Sequence, residues 1–175
     1  MTLVLFAALA CAHVACDPVR TNQIDALGGE APGVGQGPHH RPGQPCLLCH
    51  DGKLGNATEF SVAGTVFRRA EDREPVEGVI IHLVGNDGSK HDVTTNAVGN
   101  FYVLPSQWMP AYPMLVSLEG DGIAVKMKTH VGRDGSCAGC HFDPPGPDSY
   151  GHVSLIDPFP DAGALDATTS DAKAP

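Results

Sequence analysis

Positive charge is scarce in this chain: 11 lysines and arginines stand against 20 aspartates and glutamates, a formal net charge of -9. No Lys/Arg cluster occurs. The nearest to one, Arg68-Arg69, runs straight into Ala70-Glu71-Asp72, so a phosphate backbone has nothing to hold and nucleic acid is excluded as a partner. Aromatic residues make up only 6% of the chain, too few to promote a carbohydrate-binding surface. Apolar residues do not recur at helical spacing over the lengths a helical domain needs. The longest apolar run, Thr2 to Ala15, is too short to span a bilayer as a mature helix. Glycine and proline, by contrast, are abundant at 21 and 15 residues, about a fifth of the chain. They lack the strict period of collagen, so only part of the chain can form a packed core.

The run from Thr2 to Ala15 reads as the apolar part of an export signal, although no charged segment precedes it. The chain turns polar at Cys16-Asp17-Pro18. Leu9-Ala10-Cys11 and Val14-Ala15-Cys16 both resemble the small-residue-then-cysteine end of bacterial lipoprotein signals. Cys16 is the favoured lipidated first residue, because the polar chain begins directly behind it. The expected localisation is outside the cytoplasm, in the periplasm or at the outer membrane or cell surface, with membrane attachment through lipid on Cys16.

Six cysteines in an exported chain suggest a disulfide framework, but their placement argues otherwise. Cys11 and Cys16 fall in the expected signal. The other four form Cys46-Leu47-Leu48-Cys49-His50 and Cys137-Ala138-Gly139-Cys140-His141, two units of the pattern Cys-x-x-Cys-His. This pattern is the attachment signature of c-type haem. Two thiols a short turn apart reach the two vinyl groups of one porphyrin as thioethers, and the adjacent histidine is held under the iron. A pair of such units behind an export signal is far more specific than one. Three rivals use the same cysteines. A single zinc site would have to join units in which Cys137 follows His50 by 87 positions, and exported proteins seldom use zinc-thiolate sites. A thioredoxin-like pair needs a strand-to-helix setting, whereas both motifs sit among glycine and proline. Disulfides within each motif require that haem is never loaded.

With His50 and His141 as proximal ligands, a low-spin electron carrier needs a second strong ligand on each iron. His40 precedes Cys46 by six positions and His130 precedes Cys137 by seven. These two are the favoured second ligands, with no assignment of which haem each serves; His39, His152 and His82 are further candidates. His91 reads as solvated, and Met109, Met114 and Met127 read as packing.

Short β-branched runs separated by glycine-aspartate turns predict an all-β fold. The expected strands are Phe60 to Phe67, Val79 to Val84, His91 to Asn96, Asn100 to Leu104, Met114 to Glu119 and Ile123 to His130. Residues 1–16 are then the signal and 17–58 an aperiodic arm carrying the first haem motif. Residues 59–130 form the β-sandwich and 131–156 the second haem-binding segment, in which Val153 to Ile156 adds a short strand. Residues 157–175 form a disordered, Asp/Ala/Pro/Thr-rich tail. The fold class expected is a small Greek-key β-sandwich flanked by Gly/Pro-rich haem-binding segments.

A strand ending Gly64-Thr65-Val66-Phe67, the lead-in Pro75-Val76-Glu77-Gly78-Val79 and the stretch Thr94-Thr95-Asn96-Ala97-Val98-Gly99-Asn100-Phe101 resemble the carboxypeptidase-regulatory-like, transthyretin-related β-sandwich. The likeness covers residues 59 to 128 and implies a scaffold without chemistry or a zinc set of its own. The two Cys-x-x-Cys-His units resemble those of bacterial dihaem and multihaem c-type cytochromes. That resemblance implies two covalently bound haem c groups, extracytoplasmic electron transfer with redox protein partners in the cell envelope, and no substrate turnover. Two alternatives share the motifs. One is a haem-bearing subunit of an extracellular cytochrome polymer, with homo-oligomer or filament contacts through the sandwich. The other is a peroxidase or sensor with an open haem site, and a dihaem peroxidase would need helical domains this chain lacks.

Overall fold

A computed structural model of the chain describes residues 17–55 and 57–156; the expected signal with Cys11 and Cys16, and the expected tail, lie outside the described residues. Six strands form in chain order: β1 (Val62–Thr65), β2 (Ile80–Val84), β3 (Lys90–Thr94), β4 (Asn100–Val103), β5 (Leu115–Gly120) and β6 (Ile123–Lys126). They make two antiparallel sheets, one of four strands in the order β3-β2-β5-β6 and one a two-stranded ribbon, β1-β4. The all-β expectation therefore holds as two antiparallel sheets flanked by short or irregular helical segments. Among the described residues no helix is long and apolar enough to cross a membrane.

Period-two alternation sets the larger sheet. Ile81 and Leu83 of β2 and Leu118 of β5 are buried, while Ile80 of β2 and Glu119 of β5 are exposed on the opposite face. Val62, Phe101 and Val103 of the ribbon join those inward residues in one core with Val66, Met114 and Leu155. Full burial of each such side chain contributes about 1.5–3 kcal/mol. The turn between β3 and β4 is built from its own sequence. Asn96 Oδ1 accepts from the Val98 and Asn100 amides, both at 3.1 Å. Gly99 takes φ 72°, and a Cβ there would stand 2.4 Å from the Val66 carbonyl oxygen.

The structure differs from the sequence reading in three places. Residues 17–45 are not aperiodic throughout, since α1 (Pro18–Ala26) forms there. Asp17 Oδ1 accepts from the Val19 and Arg20 amides at 3.1 and 3.2 Å, and Pro18 sits at the first helical position, where its missing N–H costs nothing. The expected strand from Ile123 to His130 stops at Lys126 because the chain turns back, and Val131 and Met114 exchange backbone hydrogen bonds at 2.9 and 3.0 Å. The expected strand from Val153 to Ile156 makes a single parallel bridge, Ser154 to Phe67.

Candidate functional site

The two Cys-x-x-Cys-His units fold alike. Cys46–Leu48 and Cys137–Gly139 each form one 3-10 turn. In the first, the Cys46 carbonyl accepts from the Cys49 and His50 amides at 3.1 and 2.9 Å; in the second, the Cys137 carbonyl accepts from Cys140 and His141 at 3.2 and 3.0 Å. All four cysteines are free thiols. His50 Nδ1 lies 2.6 Å from the Thr58 carbonyl oxygen, and His141 Nδ1 lies 3.1 Å from that of Gly151. A carbonyl only accepts, so each ring carries its proton on Nδ1 and keeps the Nε2 lone pair for another partner. Metal-binding histidines are held in this way. Burial lowers the His141 pKa against the smaller opposing pull of the Gly151 carbonyl, which keeps the ring neutral, the form that can ligate.

Both turns pack on β1, from opposite faces of the ribbon. On one face Thr65 Oγ1 accepts from the Gly43 amide at 2.8 Å and donates to Asn100 Oδ1 at 2.7 Å. Asn100 Nδ2 donates to the Pro38 and His40 carbonyls at 3.2 and 3.0 Å, and Asn96 Nδ2 to Pro38 at 2.7 Å. Tyr102 stacks on Phe60 at 4.6 Å between ring centres, and Phe60 stacks on His50 at 4.3 Å. On the other face lies Gly64, where a Cβ would stand 2.8 Å from Cys137 Cβ and 3.1 Å from its Sγ. Glycine there is what lets the second motif approach. Residues 135–136 run beside β1, with the Ala63 amide donating to the Gly135 carbonyl at 3.0 Å. Covered on both sides, β1 is buried along its whole length.

Burial pushes the Cys46 thiol up to about 11. It pushes Cys137 up to about 12, with nearby Cys46 adding to the rise. Both inner thiols are therefore protonated at neutral pH and poor at forming disulfides. Helix α1 is strapped across the first motif by Arg20, whose Nη1 and Nη2 reach the two Asp51 carboxylate oxygens at 2.7 and 2.6 Å. The same Nη2 donates to the Leu48 carbonyl. The guanidinium hydrogen bond holds the Asp51 carboxyl far below the usual carboxylate range.

Beside the second motif lies a cavity of about 620 Å³, lined by Cys137, Cys140 and His141 and walled by apolar residues such as Phe101, Met114 and Val125. Its size is that of a cofactor pocket. Ser136 lines it as well, its Oγ buried and without a hydrogen-bond partner. Lys126 and Arg133 line it too, and among the described residues neither joins an ion pair. Apolar walls, with Lys126 and Arg133 outnumbering the one lining carboxylate, Asp134, suit a large apolar ring bearing carboxylates, and haem is such a group. The donor chemistry at the turn, two thiols and an imidazole with its Nε2 available, suits it equally.

The other candidate histidines are scattered. The His40 ring centre stands 5.8 Å from that of His50, with an interplanar angle of 32°. His130 is exposed at the edge of the cavity, and His39 is exposed on the arm. His152 is buried, lines the cavity and stacks on Phe67 at 4.2 Å. His82, in β2, points from the outer face of the four-stranded sheet, its Nδ1 2.9 Å from Asp92 and its Nε2 3.4 Å from Glu119, so carboxylates engage both nitrogens. His91 faces Trp108 at 6.0 Å between ring centres. Among the described residues no group of three or more His, Cys, Asp or Glu is gathered to hold a bare metal ion.

Sequence reasoning missed Arg20, Asp51, Asn96, Asn100 and Ser136. Asp17-Pro18, a capping residue followed by proline, was the available signal for the helix that carries Arg20. Nothing local marks the other four as site residues, because each acts on a segment distant in sequence or on the cavity. Comparisons with protein-family models, with curated proteins and with solved structures each found no match.

Proposed function

We propose that this chain carries two covalently attached haems, one on Cys46 and Cys49 with His50 as proximal ligand, the other on Cys137 and Cys140 with His141, and that it transfers electrons without turning over a substrate. The observation that carries the reading is the repetition: motifs 91 positions apart adopt one turn, and each holds its histidine through Nδ1 on a backbone carbonyl. Haem bound there supplies a one-electron iron couple. The chain's part is to fix two thiols and an imidazole in reach of one ring, to keep the inner thiols protonated until attachment, and to wall off water on the second side. His40 opposes His50 across the first site.

The two sheets are read as a Greek-key sandwich of the carboxypeptidase-regulatory-like type. This is supported by the chain crossing from β3 in the larger sheet to β4 in the ribbon and back to β5. It serves as a scaffold for the two haem segments. Export, lipid on Cys16 and docking with redox partners of the cell envelope complete the reading, supported by the apolar run before Cys16.

The test is an absorption spectrum, oxidised and then reduced, with the intact mass of protein made in a host that matures c-type haem. Two covalent haems with low-spin bands unaffected by carbon monoxide are expected. Protein with no covalent haem from an active maturation host overturns the reading and returns the cysteines to disulfides or zinc.

A further inference from the structure

The arm that leads into the first motif is held as a firm turn, and the grip converges on His40. Asn100 Nδ2 donates to the His40 and Pro38 carbonyls at 3.0 and 3.2 Å, and Asn96 Nδ2 donates to Pro38 at 2.7 Å. Thr65 Oγ1 donates to Asn100 Oδ1 at 2.7 Å, which turns the Asn100 amide so that its nitrogen faces the arm. Thr65 and Asn100 are 5% and 8% exposed, and hydrogen bonds in such a buried network fix geometry more firmly than solvated ones. From the other side, Arg41 Nε reaches Glu30 at 2.9 Å, Nη1 reaches Gln44 at 2.9 Å and Nη2 donates to the Gly28 carbonyl at 2.7 Å. Arg41 takes φ 50°, a left-handed backbone that residues other than glycine rarely adopt. Such a conformation persists where its surroundings over-determine it, and it is concentrated at ligand sites.

We infer that Asn100 is a positioning residue for the first haem: through the His40 carbonyl it seats the His40 imidazole as second axial ligand of the haem on Cys46 and Cys49. The inference rests on the haem-carrying reading above and gives His40 to the haem of its own motif. The His40 and His50 ring centres are 5.8 Å apart. Two imidazoles bound to opposite sides of one metal, each bond about 2 Å, have ring centres roughly 6 Å apart. The main chain takes Nδ1 of both rings. His50 meets the Thr58 carbonyl at 2.6 Å, and His40 meets the Gly37 carbonyl more closely than the Gly37 amide at 3.2 Å. A carbonyl only accepts, so each ring keeps an Nε2 lone pair for the iron. His40 is half-buried and its neighbour His39 exposed, and ordering His39 as a ligand costs rotamer freedom that His40 has already given up.

The experiment compares H40G, H39G and N100D in the full chain after haem maturation, scored by intact mass, spin state and carbon monoxide uptake. Wild type without covalent haem would sink the underlying reading, and this inference with it. With two haems present, H40G should turn one of them high-spin and take up one carbon monoxide per chain, and added imidazole should restore the low-spin bands. H39G should stay low-spin. The H40G change should persist when C137S and C140S leave only the first haem, and vanish when C46S and C49S leave only the second. H40G that stays low-spin, or that opens the second haem instead, overturns the ligand assignment. N100D keeps the acceptor for Thr65 and the side-chain volume but sets a carboxylate oxygen against two carbonyls. It should carry two haems by mass and still take up a fraction of one carbon monoxide per chain, although His40 is present. Loss of stability with both haems low-spin and closed to carbon monoxide would overturn the positioning role. If N100D does not accumulate, N96D removes the donor to Pro38 while keeping the Oδ1 acceptor of the turn. A smaller uptake of carbon monoxide by N96D supports the grip on the arm, and none overturns it.

Discussion

The four-stranded sheet and the β1-β4 ribbon are built to different ends. The sheet alternates along every strand, one side in the core and one in solvent. Its residues satisfy the demands of any half-buried sheet. The ribbon has no solvated side on β1, and its residues are notched and polar in ways packing alone does not require. Gly64 leaves room for Cys137, Thr65 holds Gly43, and Asn100 holds the carbonyl of His40. The difference teaches that stability and attachment are divided: the sheet supplies the core, and the ribbon supplies two docking faces for segments that could not bury themselves.

The largest effect should come from the sheet's inner face. Leu83→Ala removes a side chain that is 1% exposed and should destabilise the chain by about 2–5 kcal/mol, transfer and cavity terms together. Denaturant unfolding followed by far-UV signal measures it, and the haem content per folded chain should not change. A cost below about 1 kcal/mol would mean the core does not reside where the comparison puts it. The ribbon should respond the other way round. Gly135→Ala places a Cβ 2.1 Å from the Ser61 carbonyl oxygen and 2.9 Å from Val62 Cα, backbone that cannot yield as a side-chain tip would. Overpacking of this kind costs about 1–3 kcal/mol. Because the clash lies between β1 and the second motif, mass spectrometry should show chains carrying one haem, with the first motif loaded. Equal loading of both motifs would remove the ribbon's special role.

How much of this was legible beforehand follows the same division. Apolar alternation is local, so Ile81, Leu83 and Leu118 announced their sheet. The six strands were placed to within a few residues, and β6 ran long because nothing in Met127 to His130 betrays that Val131 turns back to pair with Met114. The cysteine motifs were legible because their chemistry is written in adjacent residues. The rest of the site depends on contacts across long stretches of chain. Asn100 lies 60 positions from His40 and His152 lies 80 from Asp72, and no local pattern reports such a meeting. His130 is favoured over His152 on its spacing from a motif, and spacing does not encode that His152 is buried and His130 exposed. The export signal falls outside the described residues and stays an expectation.

The smallest effect concerns the sheet's outer face. His82 stands beside Asp92, with Glu119 farther off, and the Asp92 hydrogen bond raises its pKa against the opposing cost of burial, the weaker Glu119 contact adding to the rise. The folded-state value is thus above the unfolded value of about 6.5. The charged imidazole then contributes its stability in full below about pH 6.5, and that contribution is lost as pH rises through the higher folded value. The ring is a third exposed and both carboxylates more than half, so solvent screening reduces the contribution to under about 1 kcal/mol. Unfolding midpoints of wild type and His82→Gln at about pH 6 and about pH 8 isolate it, because other titrating groups cancel in the difference. Wild type should lose its small advantage over the variant at the higher pH, and a difference that does not change with pH would show that His82 gains nothing from its carboxylates. The haem bands of the two proteins should match throughout, since His82 faces away from the ribbon; a spectral change in the variant would mean that the two regions are not separable.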